Sequence, residues 1–461
     1  MSTNETETGW YPDYVYRDGR FQSCVALFVS PAGTIARFAD APEDLKTAHR
    51  LRGRAIIPGL VNAHCHTFQR CIRARTEHRT PAVRDSFWSW REAMYHAANR
   101  LTPADIYDAA RMAFLEMLLA GITSVGEFHY LHHAPDGARY HDPNLLGREI
   151  IRGAEETGIR IALLNVAYVR AGWRRPPDPL QARFITADVQ QFLRDTEALR
   201  ESVSVRVGVA PHSVRAVPLP YLLEVVQYAH THAIPLHMHV SEQPAELEAC
   251  VAEYGVTPVE LLREHGVLDR AFTAVHATHT TPKEIKHLSQ AGASICACPT
   301  TERNLGDGMA AGDEWKAAGI NVCFGSDSNI QIDLLEDARE LEYHLRLQRL
   351  ERAVLADQQD TGSLARYLLD CATRNGAQSL VLPCGELAVG QPADFFTIDL
   401  NDPSLVGAEE DSLLSHVIFA AQRTAVRDVF VAGRRVIEDG RHAQQHSILE
   451  RFGALQRTLW S

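Results

Sequence analysis

Short apolar runs alternate with segments of helical periodicity through the middle of the chain. The apolar runs have few internal polar residues, as in strands that are covered on both faces of a parallel sheet. We interpret eight of them as β-strands, at residues 56–62, 122–128, 159–167, 203–210, 234–240, 272–277, 293–297 and 322–325. The segments between them repeat apolar residues at the 3.6-residue period of a helix. We predict helices at 103–120, 143–157, 218–232, 244–254 and 282–291.

Eight strands that alternate with helices predict a parallel (β/α)₈ barrel of the TIM type rather than an open sheet. The two chain ends differ, because both contain short strands with glycine turns, at 24–29 and 33–38 and again within 385–399, 426–432 and 434–438. We therefore predict a small composite β-sandwich domain from residues 1–57 and 385–461. The barrel, at 58–384, is inserted between its two parts.

Composition narrows the class of protein. Of 461 residues, 45% are hydrophobic and 23% charged, which excludes a disordered or fibrous chain. The formal net charge of −12 argues against binding to a nucleic-acid backbone. No run approaches the roughly 18 apolar residues of a membrane span. Residues 1–10 are polar and acidic, unlike a secretory signal, and nine cysteines without a disulfide pattern suit a reducing compartment, so we expect a cytoplasmic protein.

Histidines and acids gather at the carboxyl ends of the predicted strands, where barrel enzymes keep their active sites. The first strand runs into His64 and His66, which point the same way because side chains on a strand repeat every two residues. A single histidine is more often a satisfied polar residue than a ligand, but a series of them in one barrel is hard to assign to chance. The later strand ends contribute His237, His239, Glu242, His276, His279 and Asp327. Imidazoles with a carboxylate form a ligand set that suits Zn²⁺.

The order of these residues, HxH, HxxE, a later His and then Ser-Asp, resembles the amidohydrolase superfamily and its mononuclear aminohydrolases. The resemblance covers the whole chain. Within that branch, longer stretches are similar to deiminases that act on formiminoglutamate. These stretches are His66-Thr-Phe-Gln-Arg70, Asp85-Ser-Phe-Trp-Ser-Trp-Arg-Glu92, Gly126-Glu-Phe-His-Tyr-Leu-His-His133, Ala210-Pro-His-Ser-Val-Arg215, Val240-Ser-Glu-Gln243, Cys298-Pro-Thr-Thr-Glu302 and Asn304-Leu-Gly-Asp-Gly308.

The resemblance implies a role for each residue of the series. The implied metal ligands are His64, His66, His239 and Asp327, and the implied catalytic residues are Glu242, His276 and Asp327. His237 and His279 are then expected to support the site from outside the ligand set. Binuclear relatives bridge two metals with a lysine from the fourth strand, whereas the four lysines here (Lys46, Lys283, Lys286 and Lys316) lie away from every predicted strand end. We therefore expect one divalent metal ion, with Zn²⁺ favoured over Fe²⁺.

The resemblance implies the zinc-dependent hydrolysis of N-formimino-L-glutamate to N-formyl-L-glutamate and ammonia, a step of histidine degradation. The substrate carries two carboxylates, so the pocket needs donors beyond the metal. The candidates are Gln69, Arg91, Tyr130, His212 and Arg215. Arginine suits this role because its planar fork binds a carboxylate through two hydrogen bonds. Arg215 follows a strand end closely, whereas the segment around Arg91 could be a helix that only packs its aromatic residues.

Two other hypotheses for the function remain open. The same metal core would serve a deaminase of a ring amidine such as guanine, an adenosine derivative or a pterin, although a base pocket needs no pair of arginines. A barrel can also bind metal without turnover, although Glu242 and His276 would then have no purpose. The expected partner is a small dicarboxylate amidine, not a nucleic acid or a membrane. The one protein partner that we expect is a second copy of this chain, in a homodimer. Residues 304–308 are either a simple turn or a loop that closes over the substrate.

Overall fold

A computed structural model describes residues 7–79, 86–358 and 360–461. The chain begins with five strands of one sheet. They are β1 (Thr8–Arg17), β2 (Arg20–Ser23), β3 (Ala26–Val29), β4 (Ile35–Ala39) and β5 (His49–Pro58), with helix α1 (Pro42–Thr47) before the last. Strand β1 pairs antiparallel with β2 and β3 and parallel with β5.

The chain passes from this sheet into the barrel at Gly59. The prediction of one strand over 56–62 was wrong, because residues up to Pro58 belong to β5 and the next strand begins at Leu60. A Cβ atom on Gly59 would lie only 2.2 Å from Oγ1 of Thr123. Only glycine fits this close approach, and the change of sheet occurs there.

Eight parallel strands form the barrel. They are β6 (Leu60–Cys65), β7 (Ile122–His129), β8 (Arg160–Ala167), β9 (Arg206–Pro211), β10 (Leu236–Val240), β11 (Phe272–His276), β12 (Ser294–Ala297) and β13 (Asn321–Phe324). Their order in the sheet is their order in the chain. A single parallel bridge between Cys65 and Asp327 joins the two outer strands at their carboxyl ends. The predicted (β/α)₈ barrel is confirmed.

Helices cover the barrel on the outside. They are α2 (Phe87–Ala98), α3 (Pro103–Leu119), α4 (Leu145–Thr157), α5 (Val189–Ser202), α6 (Leu219–His232), α7 (Pro244–Tyr254), α8 (Pro258–Glu264), α9 (Pro282–Ala291), α10 (Pro299–Leu305), α11 (Gly312–Ala317), α12 (Leu334–Arg349), α13 (Ser363–Ala372) and α14 (Arg374–Ser379). Several begin at a proline, which is pre-organised for a first helical turn. Thr102 and Thr281 complete capping boxes in front of α3 and α9. The five helices predicted from periodicity are confirmed.

The last part of the chain returns to the first sheet. It contains β14 (Phe395–Asp399), α15 (Leu413–Phe419), β15 (Val426–Val431), β16 (Arg434–Glu438), β17 (Arg441–His442) and α16 (Gln445–Leu459). Strand β14 pairs antiparallel with β5, so both chain ends share one nine-stranded sheet. This confirms the composite β domain, while the exact boundaries at 57/58 and 384/385 stay predictions. No helix in the described parts of the chain is long and apolar enough to cross a membrane.

Candidate active site

The closure of the barrel brings four of the predicted ligands together. His64 lies on β6, His66 one residue beyond it, His239 on β10, and Asp327 three residues after β13. Oδ1 of Asp327 lies 3.2 Å from Nε2 of His64 and 3.1 Å from Nε2 of His66. Nε2 of His239 lies 3.2 Å from Nε2 of His64. All four side chains are buried.

Contacts outside this cluster orient the imidazoles. Nδ1 of His66 lies 2.9 Å from the carbonyl oxygen of Phe128, and Nδ1 of His239 lies 3.1 Å from that of His212. A carbonyl can only accept, so both Nδ1 atoms carry the proton and both Nε2 lone pairs face the cluster. Burial lowers the pKa of His64 to about 3 and the pKa of His239 well below its usual value. These two imidazoles are therefore neutral, the form that binds a metal.

The donor set fits a divalent metal ion. The three imidazole nitrogens and the carboxylate oxygen all lie within 4.8 Å of one another, and three of the contacts among them are 3.1–3.2 Å. A tetrahedral site with ligand distances of about 2.0–2.2 Å needs a cluster of this size. Burial raises the pKa of Asp327, but its contacts with His64 and His66 outweigh this and hold the pKa well below the usual range. The carboxylate is therefore available as the anionic ligand.

The predicted catalytic pair lies beside this cluster. Nε2 of His276 is 3.7 Å from Oε1 of Glu242 and 3.9 Å from Oδ2 of Asp327. His276 and Asp327 have left-handed backbones, with φ of 70° and 42°. Such strain in residues other than glycine is common at functional sites, where it aims a side chain. Here it turns both side chains toward the same point at the carboxyl end of the barrel.

The protonation of the pair follows from its surroundings. Burial raises the pKa of Glu242, which favours the neutral acid. Burial lowers the pKa of His276, but the carboxylates of Glu242, Glu302 and Asp327 outweigh it and hold the pKa well above its usual value. An acid and an imidazole with such surroundings can exchange protons with a bound substrate.

A narrow cavity opens above the cluster, and all five predicted substrate-binding residues line it. Three of them form an inner group near the imidazoles. Nε2 of Gln69 donates to the hydroxyl of Tyr130 at 2.8 Å, and the ring of Tyr130 lies 5.6 Å from that of His212. The inner group places neutral hydrogen-bonding side chains next to His66 and His239.

Arg91 and Arg215 form an outer group. The guanidinium of Arg91 lies 4.4 Å from the ring centre of Trp88, and that of Arg215 lies 5.9 Å from the same ring. In each, Nη1 is buried without a hydrogen-bond partner. Among the ion pairs of the described residues, neither arginine has a carboxylate partner. Two such cations in a cavity form a site for an anionic group.

Sequence reasoning missed two tyrosines that line the same cavity. The hydroxyls of Tyr95 and Tyr168 lie 3.2 Å apart, and both tyrosines line the cavity together with the two arginines. Two signals could have identified them. Tyr168 directly follows β8, as the other site residues follow their strands, and Tyr95 lies four residues after Arg91 on the same face of α2.

Other candidates lie outside the cavity or at its edge. His237 bonds through Nε2 to the carbonyl oxygen of Ser379 at 2.9 Å, as expected for a core residue. Nε2 of His279 contacts the carbonyl oxygen of Asp307 at 2.8 Å and so holds the 304–308 segment, from which Leu305 reaches the cavity. Asp85, the first residue of one motif, lies outside the described residues.

Comparisons with known proteins agree with this geometry. The model of the Amidohydrolase family matches residues 55–436. The chain is 39% identical over 457 residues to a formimidoylglutamate deiminase from Pseudomonas aeruginosa, with 98% of each chain covered. The crystal structure of an amidohydrolase from Brucella melitensis has a TM-score of 0.91 at 35% identity and covers 98% of this chain and 100% of its own. An adenosine deaminase from Xanthomonas campestris, crystallised with bound zinc, shares the fold with a TM-score of 0.81 at 22% identity and 98% coverage of both chains.

Proposed function

This chain belongs to the amidohydrolase family, and from that premise we propose that it is an enzyme that hydrolyses N-formimino-L-glutamate to N-formyl-L-glutamate and ammonia. The relative from Pseudomonas aeruginosa is named for this activity. The observation that carries the proposal is the pair Arg91 and Arg215, two cations without carboxylate partners among the described residues, in the cavity of the histidine cluster. A substrate with an amidine at one end and carboxylates at the other matches both features.

The inner and outer groups of polar residues bind different parts of the substrate. Gln69, Tyr130 and His212 lie near the imidazoles and offer hydrogen bonds to the carboxylate nearer the formimino group. Arg91 and Arg215 lie farther out, where each guanidinium can bind the distal carboxylate in a bidentate manner. Both arginines also line a second, wider pocket, through which a charged substrate can enter. Binding at both ends fixes the formimino carbon over the histidine cluster.

His64, His66, His239 and Asp327 would hold the metal. A divalent ion in such a site lowers the pKa of water and polarises the bond that water attacks. Asp327 and His276 accept the proton that the attacking water releases, since Oδ2 and Nε2 lie within 3.9 Å of each other. Glu242, whose pKa burial raises, protonates the imino nitrogen. The proton taken from the water then passes to the same nitrogen, and the C–N bond breaks as the hydroxyl of the adduct returns a proton to Glu242 and becomes the C=O of the formyl product. Ammonia leaves.

The identity and number of the metal ions are part of the proposal. We propose a single Zn²⁺, because three imidazoles and one carboxylate suit zinc and because β9 ends at Pro211 without a lysine that could bridge a second ion. A homodimer and a location in the cytoplasm stay predictions.

A deaminase of a ring amidine is the second candidate. Its supporting observation is the aromatic lining of the cavity, where Phe87 and Trp90 join the two tyrosines. Planar bases stack on such side chains. A neutral base, however, would leave Arg91 and Arg215 without a charge partner, so this candidate ranks below the dicarboxylate amidine.

The test is ammonia release by zinc-loaded protein from N-formimino-L-glutamate, guanine and adenosine in parallel. We expect turnover of formiminoglutamate only. Turnover of a purine at a comparable kcat/KM would replace the proposal with the second candidate, and no ammonia from any of the three would favour a metal-binding protein without turnover.

A further inference from the structure

His276 contacts a carboxylate on the side that faces away from the cavity. Its Nδ1 atom lies 3.3 Å from Oε1 of Glu302. Glu302 is 2% exposed, and it does not line the cavity. The same Oε1 atom accepts the backbone N–H of Cys298 at 2.9 Å. The backbone of Cys298 therefore holds the carboxylate of Glu302 in place, on the side of the imidazole that faces away from the cavity.

This contact decides which nitrogen of His276 carries the proton. A carboxylate accepts, so Nδ1 donates to Glu302, and in the neutral ring Nε2 is left with a lone pair. Nε2 is the nitrogen that faces Glu242 at 3.7 Å and Asp327 at 3.9 Å. The thiol of Cys298 also lies within 4.8 Å of a ring nitrogen of His276, but a thiol is a weak acceptor and could not fix the ring in the same way.

Helix capping alone does not explain the buried acid. The N-terminus of α10 has its own cap, because Oδ1 of Asp337 accepts the backbone N–H of Thr300 at 3.0 Å and its hydroxyl at 2.8 Å. Glu302 is the fourth residue of α10, and its side chain returns past Cys298 to reach the imidazole. Its position therefore serves the ring as well as the helix.

We propose that Glu302 is a positioning residue for the proposed reaction. It holds one proton of His276 on Nδ1 both in the imidazolium, which the surrounding carboxylates favour, and in the neutral ring, so that Nε2 is the nitrogen that exchanges protons. When the neutral ring takes the proton of the attacking water, an O–H bond of water breaks, an N–H bond forms at Nε2, and Glu302 balances the charge of the imidazolium. The proton then leaves Nε2 for the departing nitrogen. The inference rests on the proposed function and adds a residue that acts through His276 rather than on the substrate.

The experiment compares Glu302→Gln and Glu302→Asp with a matched control, Glu284→Gln. Glu284 is equally buried at 2% exposure and caps the neighbouring helix α9, bonding to Thr281 and Thr257. Glu302→Gln keeps the size and an acceptor for Cys298 but removes the charge. We expect kcat to fall about 10–100-fold, the usual cost of losing such a supporting contact, with little change in KM or zinc content. Glu302→Asp should recover part of kcat, and Glu284→Gln should keep the kcat of the wild type.

A second readout needs no substrate. The Nδ1 proton of His276, shielded and bound to a carboxylate, should give a far-downfield ¹H NMR resonance that moves upfield in Glu302→Gln, whose amide oxygen is a weaker acceptor, and disappears in His276→Asn. A resonance that does not move in Glu302→Gln, or an unchanged kcat in that variant, would overturn the inference. So would an equal loss of kcat in Glu302→Gln and Glu284→Gln. If Glu302→Gln does not fold, the comparison of the wild type with Glu302→Asp tests the inference. The shorter acid is farther from Nδ1, so it should move the resonance upfield and lower kcat together. Absence of ammonia release by the wild type would refute the proposed function, whereas the NMR result would still decide the role of Glu302.

Discussion

Nε2 of His64 lies 3.2 Å from Nε2 of His239, although the two residues come from opposite sides of the barrel sheet. The Nδ1 proton of His239 is fixed by the carbonyl oxygen of His212, so its Nε2 presents a lone pair to His64. Burial keeps both rings neutral. Two neutral imidazole nitrogens at this distance, next to the carboxylate of Asp327, form a donor set that suits a divalent cation.

Replacing His239 should therefore remove the metal. We expect His239→Ala to lose zinc, measured by elemental analysis, together with ammonia release. The control is His237→Gln on the same strand and the same face, since His237 bonds to Ser379 and not to the cluster. This control should lower the melting temperature but keep the zinc. Full zinc occupancy in His239→Ala would show that the ligand assignment is wrong.

Glu242→Gln should separate proton transfer from metal binding. The variant keeps the shape of the side chain but has no proton to give, so kcat should fall by about two to four orders of magnitude. Zinc content should stay at the wild-type value. The control is Glu248→Gln on the exposed face of α7, which should behave as the wild type. Loss of zinc in Glu242→Gln would instead place Glu242 among the ligands.

Arg215→Met tests the dicarboxylate pocket. Without Arg215 the distal carboxylate loses a buried charge partner, which typically costs about 2–5 kcal/mol. We expect kcat/KM for formiminoglutamate to fall about 30-fold or more, with little effect on formamidine, which has no carboxylate. Arg206→Met, at the exposed opposite end of β9, is the control. Equal losses on both substrates would indicate that Arg215 has a structural role.

Glu246 should make the stability of the protein depend on pH. Burial raises the pKa of this carboxyl to about 7, the charge of Arg215 opposes the shift, and Glu242 adds to it. The folded state thus keeps a proton that the unfolded state has lost between pH 4.5, the ordinary value, and about 7. By linkage, the free energy of unfolding falls as pH rises through this window, by up to a few kcal/mol.

The measurement is urea unfolding of the wild type and Glu246→Gln at several pH values. The wild type should lose stability relative to the variant between about pH 5 and pH 7 and then change no further. Parallel curves for the two proteins would contradict the raised pKa. Glu248→Gln serves again as the control, because an exposed carboxyl should add no such difference.

The sequence by itself determined the barrel and most of the active-site cluster. Periodicity is a local property, so the alternation of apolar runs and helical segments predicted eight parallel strands before any contact was known. Side chains that follow the carboxyl ends of such strands must meet at one rim, which is why the positions of His64, His66, Glu242, His276 and Asp327 could be read from the chain. The exact limits of the strands could not be predicted from the sequence. The break at Gly59 depends on its distance to Thr123, which no local pattern encodes.

The tertiary structure decided what depends on distances between remote residues. His237 and His239 share one strand face, and only the packing shows that the first bonds to Ser379 while the second, about 6.7 Å nearer the rim, reaches His64. Composition could not show which of many arginines lack carboxylate partners, and the structure identifies Arg91 and Arg215. Glu302 looked like one residue of a motif until the fold placed it behind His276. The physical reason is that pattern fixes the direction in which a side chain points, whereas contact, burial and charge pairing arise only when the barrel closes.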